Sequence, residues 1–340
     1  MAQDIAALIR QPGYITVGSS TTPSTTTNLM TFKDDIVVDF VKETDPLEIS
    51  IIGTADETIR NRFVRISGNP IVYPVASGNS TLFGWLWPWS GSPPPVPGTS
   101  LFASSQPIYI LSTNGDGLVV YNCAVVKPPD LVLAVDKSIV GPFEAIGLIR
   151  NTYDPETASS FFLSKGVLGG GSAISYSSPV LLQTGDLIGR QRYYLTWTAG
   201  NTTTGNSTFT AFEAEKGISI SHEALGDFIA PQGQQADWAL RSYRAMARLI
   251  PIGPTGTDIE KCLGFQGIAA AKQGSRLSAA TVGDLVITGQ FGLTATIKNA
   301  VLKTAGFRFG SVTLRYGEIG FVGTFNLTSA GAHTGGLTLA

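Results

Sequence analysis

Hydrophobic and polar residues alternate along several short segments of the chain, as in half-buried β-strands. Between residues 318 and 328 the apolar side chains and glycines fall mostly on one parity and the polar ones on the other. Residues 307–316 alternate in the same way, with a change of phase at Gly310 and Ser311 that predicts a bulge or a tight bend. Residues 118–126 and 131–135 predict two more strands, separated by a turn at residues 127–130. The pattern predicts a mainly β chain.

Two segments instead have apolar residues at helical spacing. The first begins with a capping-box pattern at residues 54–57, and we expect a helix over Ala55–Ile66. The second is expected over Gln234–Ile250, where Pro251 stops it. It has a separate stripe of arginines, interpreted as a solvated or ion-paired face: Arg241, Arg244 and Arg248.

The same parts recur in the same order, which predicts an internal duplication. Residues 101–152 align with residues 277–328 without a gap. The predicted helices align by identities so that Arg60 falls on Arg241, whereas their apolar stripes match better when moved by one residue. Upstream, Val38–Glu43 lies over Ile218–Glu223. We expect two tandem β-sandwich or barrel domains, each with one flanking α-helix. Two unrelated β domains are the alternative.

These alignments predict the domain boundaries. The first domain covers residues 1–152 and contains an insertion at 72–100. Residues 153–190 are a linker with connecting strands, and residues 191–340 form the second domain with a flexible C-terminal tail. Within the insertion, the tryptophans of residues 83–89 either stack on sugars or pack under the proline-rich loop or against a neighbouring subunit. Packing is favoured.

Composition limits the classes of function. Only 14% of the 340 residues are charged and the net charge is −2. Ordinary soluble proteins have about 25% charged residues, so we expect much of the surface to be buried in an assembly. A dedicated nucleic-acid binder would have a basic excess. Neither a signal peptide nor a membrane-spanning stretch is predicted, and Cys123 and Cys262 are interpreted as buried thiols.

Residues suited to catalysis are scarce. The histidines are His222, interpreted as structural, and His333 in a Gly/Thr-rich segment. The acidic pairs at 34–35 and 56–57 could serve a glycan hydrolase, which remains the enzymatic alternative and requires two carboxylates about 5–10 Å apart. We predict no catalytic, cofactor-binding or metal-binding residues, and a protein that is not an enzyme.

The arrangement resembles the tail tube (major tail) proteins of long-tailed bacteriophages. The strands Val38–Glu43 and Ile218–Glu223, each followed by a predicted helix, carry the resemblance, with the closing strands in Leu118–Ile149 and Leu293–Leu327. It implies small β-sandwich domains that polymerise into stacked six-fold rings, the conduit for DNA ejection. Since this chain has twice the length, three copies would make a pseudo-six-fold ring.

The resemblance also implies partners and a location. Other tail proteins (tape measure, terminator and distal tail) would bind the tube, and DNA would pass through the lumen without specific binding. The protein would be assembled in the host bacterial cytoplasm and reside in the virion tail, with no membrane partner. The alternative is a carbohydrate-binding, decoration or receptor-binding β-sandwich protein of the virion.

Overall fold

The computed structural model confirms the mainly β fold. It describes residues 13–18, 28–32, 34–49, 53–72, 80–88, 100, 105–112, 116–134, 141–148, 161–165, 167–168, 172–173, 193–199, 207–229, 237–252, 283–289, 294–311, 314–323, 326–327, 333–334 and 336–339. Strands account for most of these residues, and one short helix, α1 (Ser80–Leu86), lies among them.

The first antiparallel sheet is built mainly from the first half of the chain. Its strands are β1 (Gly13–Val17), β2 (Leu29–Phe32), β3 (Val37–Ile49), β4 (Gly53–Gly68), β5 (Pro70–Val72), β6 (Gln106–Ser112), β7 (Asp116–Lys127), β9 (Phe143–Leu148) and β10 (Phe161–Lys165). The strand order is β3-β4-β9-β7-β6-β1-β2-β5, with β10 added to β7. Because β5 begins two residues after β4 ends and pairs with β2, the order closes into a ring, which we name barrel 1.

The second antiparallel sheet closes in the same manner. Its strands are β8 (Leu131–Leu133), β13 (Tyr193–Ala199), β14 (Ser207–Ile229), β15 (Asp237–Ile252), β16 (Gly283–Gly289), β17 (Thr294–Thr304), β20 (Ile319–Gly323) and β23 (Gly336–Leu339). The order is β13-β16-β17-β20-β15-β14-β8, with β23 added to β17. Since β13 also pairs with β14, these strands form barrel 2.

Three short hairpins complete the described strands. They pair β11 (Val167–Leu168) with β12 (Ser172–Ala173), β18 (Phe307–Phe309) with β19 (Leu314–Tyr316), and β21 (Asn326–Leu327) with β22 (His333–Thr334). The predicted bend at Gly310 and Ser311 is therefore the turn between β18 and β19.

The two barrels repeat one topology strand by strand. The run β3-β4-β9-β7-β6-β1 of barrel 1 has the order of β14-β15-β20-β17-β16-β13 in barrel 2. In addition, β2 and β3 together correspond to the long strand β14, because β2 pairs with β1 as the start of β14 pairs with β13. Strand β10 corresponds to β23, because β10 pairs with β7 where β23 pairs with the matching part of β17. The predicted duplication is thus present as a repeated pairing pattern.

Irregularities of the ladders recur at matching places. The β3–β4 ladder skips Arg60, and the β14–β15 ladder skips Arg241, so each hairpin has a bulge at its aligned arginine. A further bulge lies in β7 at Asn122 and in β17 at Asn299, both with positive φ. The predicted register of Arg60 on Arg241 is confirmed.

Elsewhere the sequence alignment needs small corrections. The gapless alignment places Asn122 on Lys298, but the ladders match Asn122 to Asn299. The turn after β7, at Pro128 and Pro129, has one residue more than the turn after β17. The gapless alignment is therefore correct again at β9 and β20. Upstream, Val38 matches Ile220 and not Ile218.

The predicted helix Ala55–Ile66 is wrong, because these residues lie in β4. Phe63 faces the outside of barrel 1 whereas Val64 and Ile66 face its core. Because β4 has buried apolar residues on both of its faces and a bulge at Arg60, its apolar residues do not recur at every second position. Their spacing instead resembles that of a helix.

The predicted helix Gln234–Ile250 is wrong for the same reason. From residue 237 onward its described part is β15, in which Tyr243, Ala245, Ala247 and Leu249 alternate with exposed or half-buried residues. The bulge at Arg241 shifts the phase of the preceding apolar residues. The alanines favoured a helix by intrinsic propensity, and tertiary pairing overrode that preference.

A single buried core spans both barrels. Val64 and Ile66 of barrel 1 belong to the same apolar cluster as Ile218 and Ala245 of barrel 2. The crossing strand β8 contributes to this continuity, because it follows β7 in the chain but pairs with β14. The predicted domain boundaries remain a prediction.

Two predicted connecting segments contain paired strands. Within residues 153–190, β10 adds to β7. The predicted flexible tail contains β23, whose residues 336–339 pair with β17, so this part of the tail is a strand of barrel 2.

Candidate functional site

The tryptophan-rich insertion packs into the core of barrel 1. Trp85 and Trp87 are fully buried, and their indole Nε1–H groups donate to the backbone oxygens of Cys123 at 2.9 Å and Pro129 at 3.0 Å. Helix α1 holds both near β1 and β7, with the Leu82 N–H donating to Asn28 Oδ1 at 3.0 Å. The packing interpretation is confirmed for these two residues, which present no face to a sugar. Trp89 and the prolines at 93–95 lie outside the described residues.

The acidic pairs of the sequence lie on the surface. Asp34 is exposed and accepts a hydrogen bond from Asn69 Nδ2 at 2.9 Å. Glu57 is exposed on β4, where its Oε2 accepts from Thr44 Oγ1 at 2.8 Å. The first pair lies just before β3 and the second near the start of β4. In the described part of the chain no group of three His, Cys, Asp or Glu residues is arranged to hold a metal ion.

Besides the common core, a second buried apolar contact between the barrels involves two long hairpins, which we name arms. Arm 1 is the β3–β4 hairpin and arm 2 is the β14–β15 hairpin. Trp238, Leu240 and Tyr243 of arm 2 pack in one buried cluster against the outer face of barrel 1. The residues of that outer face in the cluster, with two partly buried neighbours, are Phe63, Ala124, Ile146, Val41 and Val126.

Strand geometry explains why arm 2 presents this apolar face. Tyr243 has the same parity as the core residues Ala245 and Ala247, and the bulge at Arg241 keeps Leu240 and Trp238 on the same side. The inner face of barrel 2 therefore continues along the arm and covers barrel 1. Gly226 permits this arrangement, because a Cβ at residue 226 would overlap the Trp238 ring.

His222 lies on the same face of arm 2. Its imidazole stacks on Tyr243, with ring centroids 5.9 Å apart and planes inclined by 19°. Burial lowers the pKa of His222 from 6.5 to about 3, because the charged form would lose its hydration. Neither ring nitrogen has a hydrogen-bond partner in the structure. His222 is thus a neutral packing residue, as interpreted, but its nitrogens are not satisfied.

The arginines predicted to share one helical stripe are distributed differently on β15. Arg244 and Arg248 lie on its exposed face, and Arg241 is the bulge residue. Arg244 forms an ion pair with Glu223, and Arg241 Nη1 lies 3.4 Å from Asp227 Oδ2. The ion-paired interpretation is therefore confirmed for these two residues.

The remaining sequence candidates are two cysteines and a histidine. Cys123 is buried, and burial raises the pKa of its thiol far above the ordinary value. Cys262 lies outside the described residues. His333 is in β22, paired opposite Leu327.

Large apolar side chains are exposed at a few places on the two barrels and on the β18–β19 hairpin. Three lie on β3, and two lie on β18, where Phe309 is 84% exposed. The full set is Val37, Phe40, Leu47, Tyr194, Leu225, Ile252, Phe307 and Phe309. Sequence reasoning did not mark them as exposed, although the repeat offers a signal for two of them: Phe307 and Phe309 align with Leu131 and Leu133, which are buried.

Across the described residues, no helix combines the length and apolar character required to cross a bilayer.

Comparison with known structures finds distant similarity. No protein-family model matches the sequence, and no curated protein does. The chain is similar to one chain in the six-fold symmetrised cryo-EM structure of the anti-feeding prophage (AFP) baseplate, with a TM-score of 0.26 and 10% sequence identity. The match covers 41% of this chain and 92% of that chain.

Proposed function

We propose that this chain is a structural virion protein that polymerises into stacked rings and forms the tail tube of a long-tailed phage. Three copies would give six barrels in a pseudo-six-fold ring, and DNA would pass through the lumen without specific binding. The observation that carries the proposal is the repeat: one chain holds two barrels of the same topology, joined by an extensive buried contact.

A repeated unit joined head to tail generates either a closed ring or a filament, because each unit leaves one donor and one acceptor surface at its ends. Here the arm of barrel 2 is covered by barrel 1, whereas arm 1 presents exposed apolar residues, among them Phe40 at 57%. Monomeric soluble proteins seldom expose large contiguous apolar patches. We expect further copies of the chain to cover the exposed apolar residues of arm 1.

The composition agrees with an assembled protein. A charged content of 14% is low for a free protein of this size, and the net charge of −2 gives no basic excess that would hold DNA on the wall. The tape measure, terminator and distal tail proteins would then bind the ends and the interior of the tube.

Electron microscopy of the purified protein in negative stain tests this function. Tubes with a central channel, built of rings with six-fold or three-fold symmetry, are expected. Discrete particles that never stack, at any protein concentration or salt concentration, would contradict the tail tube.

A further inference from the structure

Strand β8 completes barrel 2 from outside it. Leu131, Val132 and Leu133 lie opposite Ile220, Ser219 and Ile218 of β14 in an antiparallel ladder. Leu131 and Leu133 are buried in the common core, and so are Ile218 and Ile220, each with 0% exposure. The first half of the chain thus donates a strand to the second barrel.

The second half carries a counterpart of β8 for which the described residues provide no such acceptor. The two ends of the loop that contains β8 approach each other closely at Asp130 and Gly141. A Cβ added at Gly141 would lie only 2.6 Å from the Asp130 nitrogen. The loop containing β18 closes in the same way, with the Gly317 N–H donating to Gly306 O at 2.7 Å. The spacing from closure to closure is equal, so Phe307–Phe309 takes the place of Leu131–Leu133.

The two strands differ in burial. Like β8, β18 has an apolar-polar-apolar sequence, Phe307-Arg308-Phe309. All three of its side chains are exposed, and its pairing partner among the described residues is β19. Leu131 and Leu133 are buried because β14 accepts their strand. β18 therefore has the sequence of a donor strand that no barrel accepts within the described part of the chain.

The matching acceptor lies in barrel 1. Ile36 and Val38 correspond to Ile218 and Ile220, yet both are only partly buried. Val37 between them is 46% exposed. In the sheet order β3 is the terminal strand, so its outer edge has no strand on it within the described part of the chain. Unpaired edges of this kind favour addition of another strand.

We propose that β18 of one copy adds to the edge of β3 in a second copy, in the place that β8 occupies on β14. Phe309 would lie opposite Ile36, Arg308 opposite Val37, and Phe307 opposite Val38. The occupant is a second copy because β18 and its acceptor repeat, in sequence order and register, a contact that already exists inside the chain. This names the self-association surface of the proposed tail tube and in that respect rests on the proposed function.

This strand addition would also place arm 1 of the second copy against the outer face of barrel 2 of the first copy. In this contact Glu57 replaces Trp238 and Arg244 replaces Phe63, because the ladders match these positions. At these two positions the residues change from apolar to charged, and the two charges are opposite. An apolar contact inside the chain thus has a charge-complementary counterpart between chains.

Disulfide trapping tests the strand addition. Two single variants, Val37→Cys and Arg308→Cys, are prepared in a Cys262→Ser background, where the remaining native thiol, Cys123, is buried. Both substituted positions are exposed, so folding should be retained. Mixing and oxidising the two proteins should give a cross-linked two-chain species, since facing Cβ atoms in a ladder lie within disulfide reach.

Leu47→Cys mixed with Arg308→Cys is the matched control. Leu47 is also exposed on β3 but lies ten residues further out, about 33 Å along the strand. We expect at least about tenfold more cross-linked product with Val37→Cys than with Leu47→Cys. Equal yields, or no product while the proteins associate, would overturn the strand addition.

The outcome also separates this inference from the tail tube. Tubes without the cross-link between residues 37 and 308 would overturn the strand addition and leave the tube. Cross-linked rings that never stack would support the strand addition and contradict the tube. A protein that stays monomeric under all conditions would overturn both.

Discussion

Asn122 and Asn299 adopt the same left-handed backbone conformation at the same place in the two barrels, with φ of 50° and 51°. In each case the residue that follows accepts a tryptophan indole hydrogen bond. Cys123 O accepts from Trp85 Nε1 at 2.9 Å, and Ala300 O accepts from Trp197 Nε1 at 3.1 Å. The bulge turns a backbone carbonyl into the core, and a buried tryptophan satisfies it, although the two tryptophans come from a helix and a strand.

This conformation predicts the effect of replacing Asn299. Asn tolerates positive φ, but a β-branched residue does not, so Asn299→Val should lower the free energy of unfolding by about 1–3 kcal/mol. Asn299→Gly is the control and should be nearly neutral, because glycine adopts this conformation without steric cost. Urea unfolding followed by tryptophan fluorescence measures both. Equal losses for Val and Gly would show that the Asn side chain, and not its backbone, matters.

Gly226 predicts a cost of overpacking in arm 2. A methyl group at this position would overlap the ring of Trp238, so Gly226→Ala should lower the free energy of unfolding by about 1–3 kcal/mol. Gly84→Ala is the matched control, since nothing lies within 4 Å of its Cβ position in α1. There alanine should stabilise the helix by up to about 1 kcal/mol. Destabilisation by both substitutions to the same extent would contradict the packing of Trp238.

These positions show how much could be predicted from the sequence. The strand at residues 319–323 alternates, residues 118–126 form an apolar run rich in β-branched residues, and the repeat of Arg60 and Arg241 was visible as an identity. The helices were mispredicted because bulges at those arginines shift the period of two. Tyr243-Arg244-Ala245-Met246-Ala247-Arg248-Leu249 does alternate, and this was the signal for a strand.

The proposed assembly surface was less predictable. That Leu131 is buried and Phe307 exposed depends on which barrel accepts each strand, and no local pattern encodes this choice. Likewise, Trp238 and Glu57 occupy matching places, and only the fold shows that one covers barrel 1 while the other is exposed. Pairing between distant strands decides burial here, so it could be read only from the structure.

His222 predicts a dependence of stability on pH. The folded state keeps this imidazole neutral down to a pKa of about 3, whereas in the unfolded chain it titrates at 6.5. Below pH 6.5 the unfolded state binds more protons, so stability is lost as the pH falls towards 3, by about 1.4 kcal/mol per pH unit. Stability from this source is fully present above pH 6.5.

His222→Phe removes that dependence and keeps an aromatic ring against Tyr243. The variant should show a flatter decline in the free energy of unfolding between pH 6.5 and pH 4, measured by urea unfolding of the monomer. Phe40→His places a histidine at the matching position of arm 1, which is 57% exposed, and should leave the slope unchanged. A His222→Phe variant with the wild-type slope would mean that His222 is protonated in the folded protein.

Opposite charges on arm 1 and barrel 2 predict a charge-swap rescue of self-association. Glu57→Arg would place like charges together, because residue 57 on arm 1 of one copy would face Arg244 of the next. Arg244→Glu should weaken association for the same reason, at a cost in folding of at most about 1 kcal/mol from its exposed pair with Glu223. The double variant restores opposite charges and should associate as the wild type does, measured by sedimentation velocity.

The same pair predicts sensitivity to salt. Screening weakens attraction between exposed charges, so wild-type association should weaken as ionic strength rises, and association of the double variant should weaken in parallel. Glu215→Arg makes the same change of charge at an exposed position of barrel 2 outside this contact and serves as the control. The double variant has the same net charge as the wild type, so an effect of net charge alone would make these two proteins alike without either single variant losing association. Loss of association in each single variant, followed by rescue in the double variant, therefore requires that the two residues face each other across the interface. A double variant no better than its parents would place arm 1 elsewhere in the assembly.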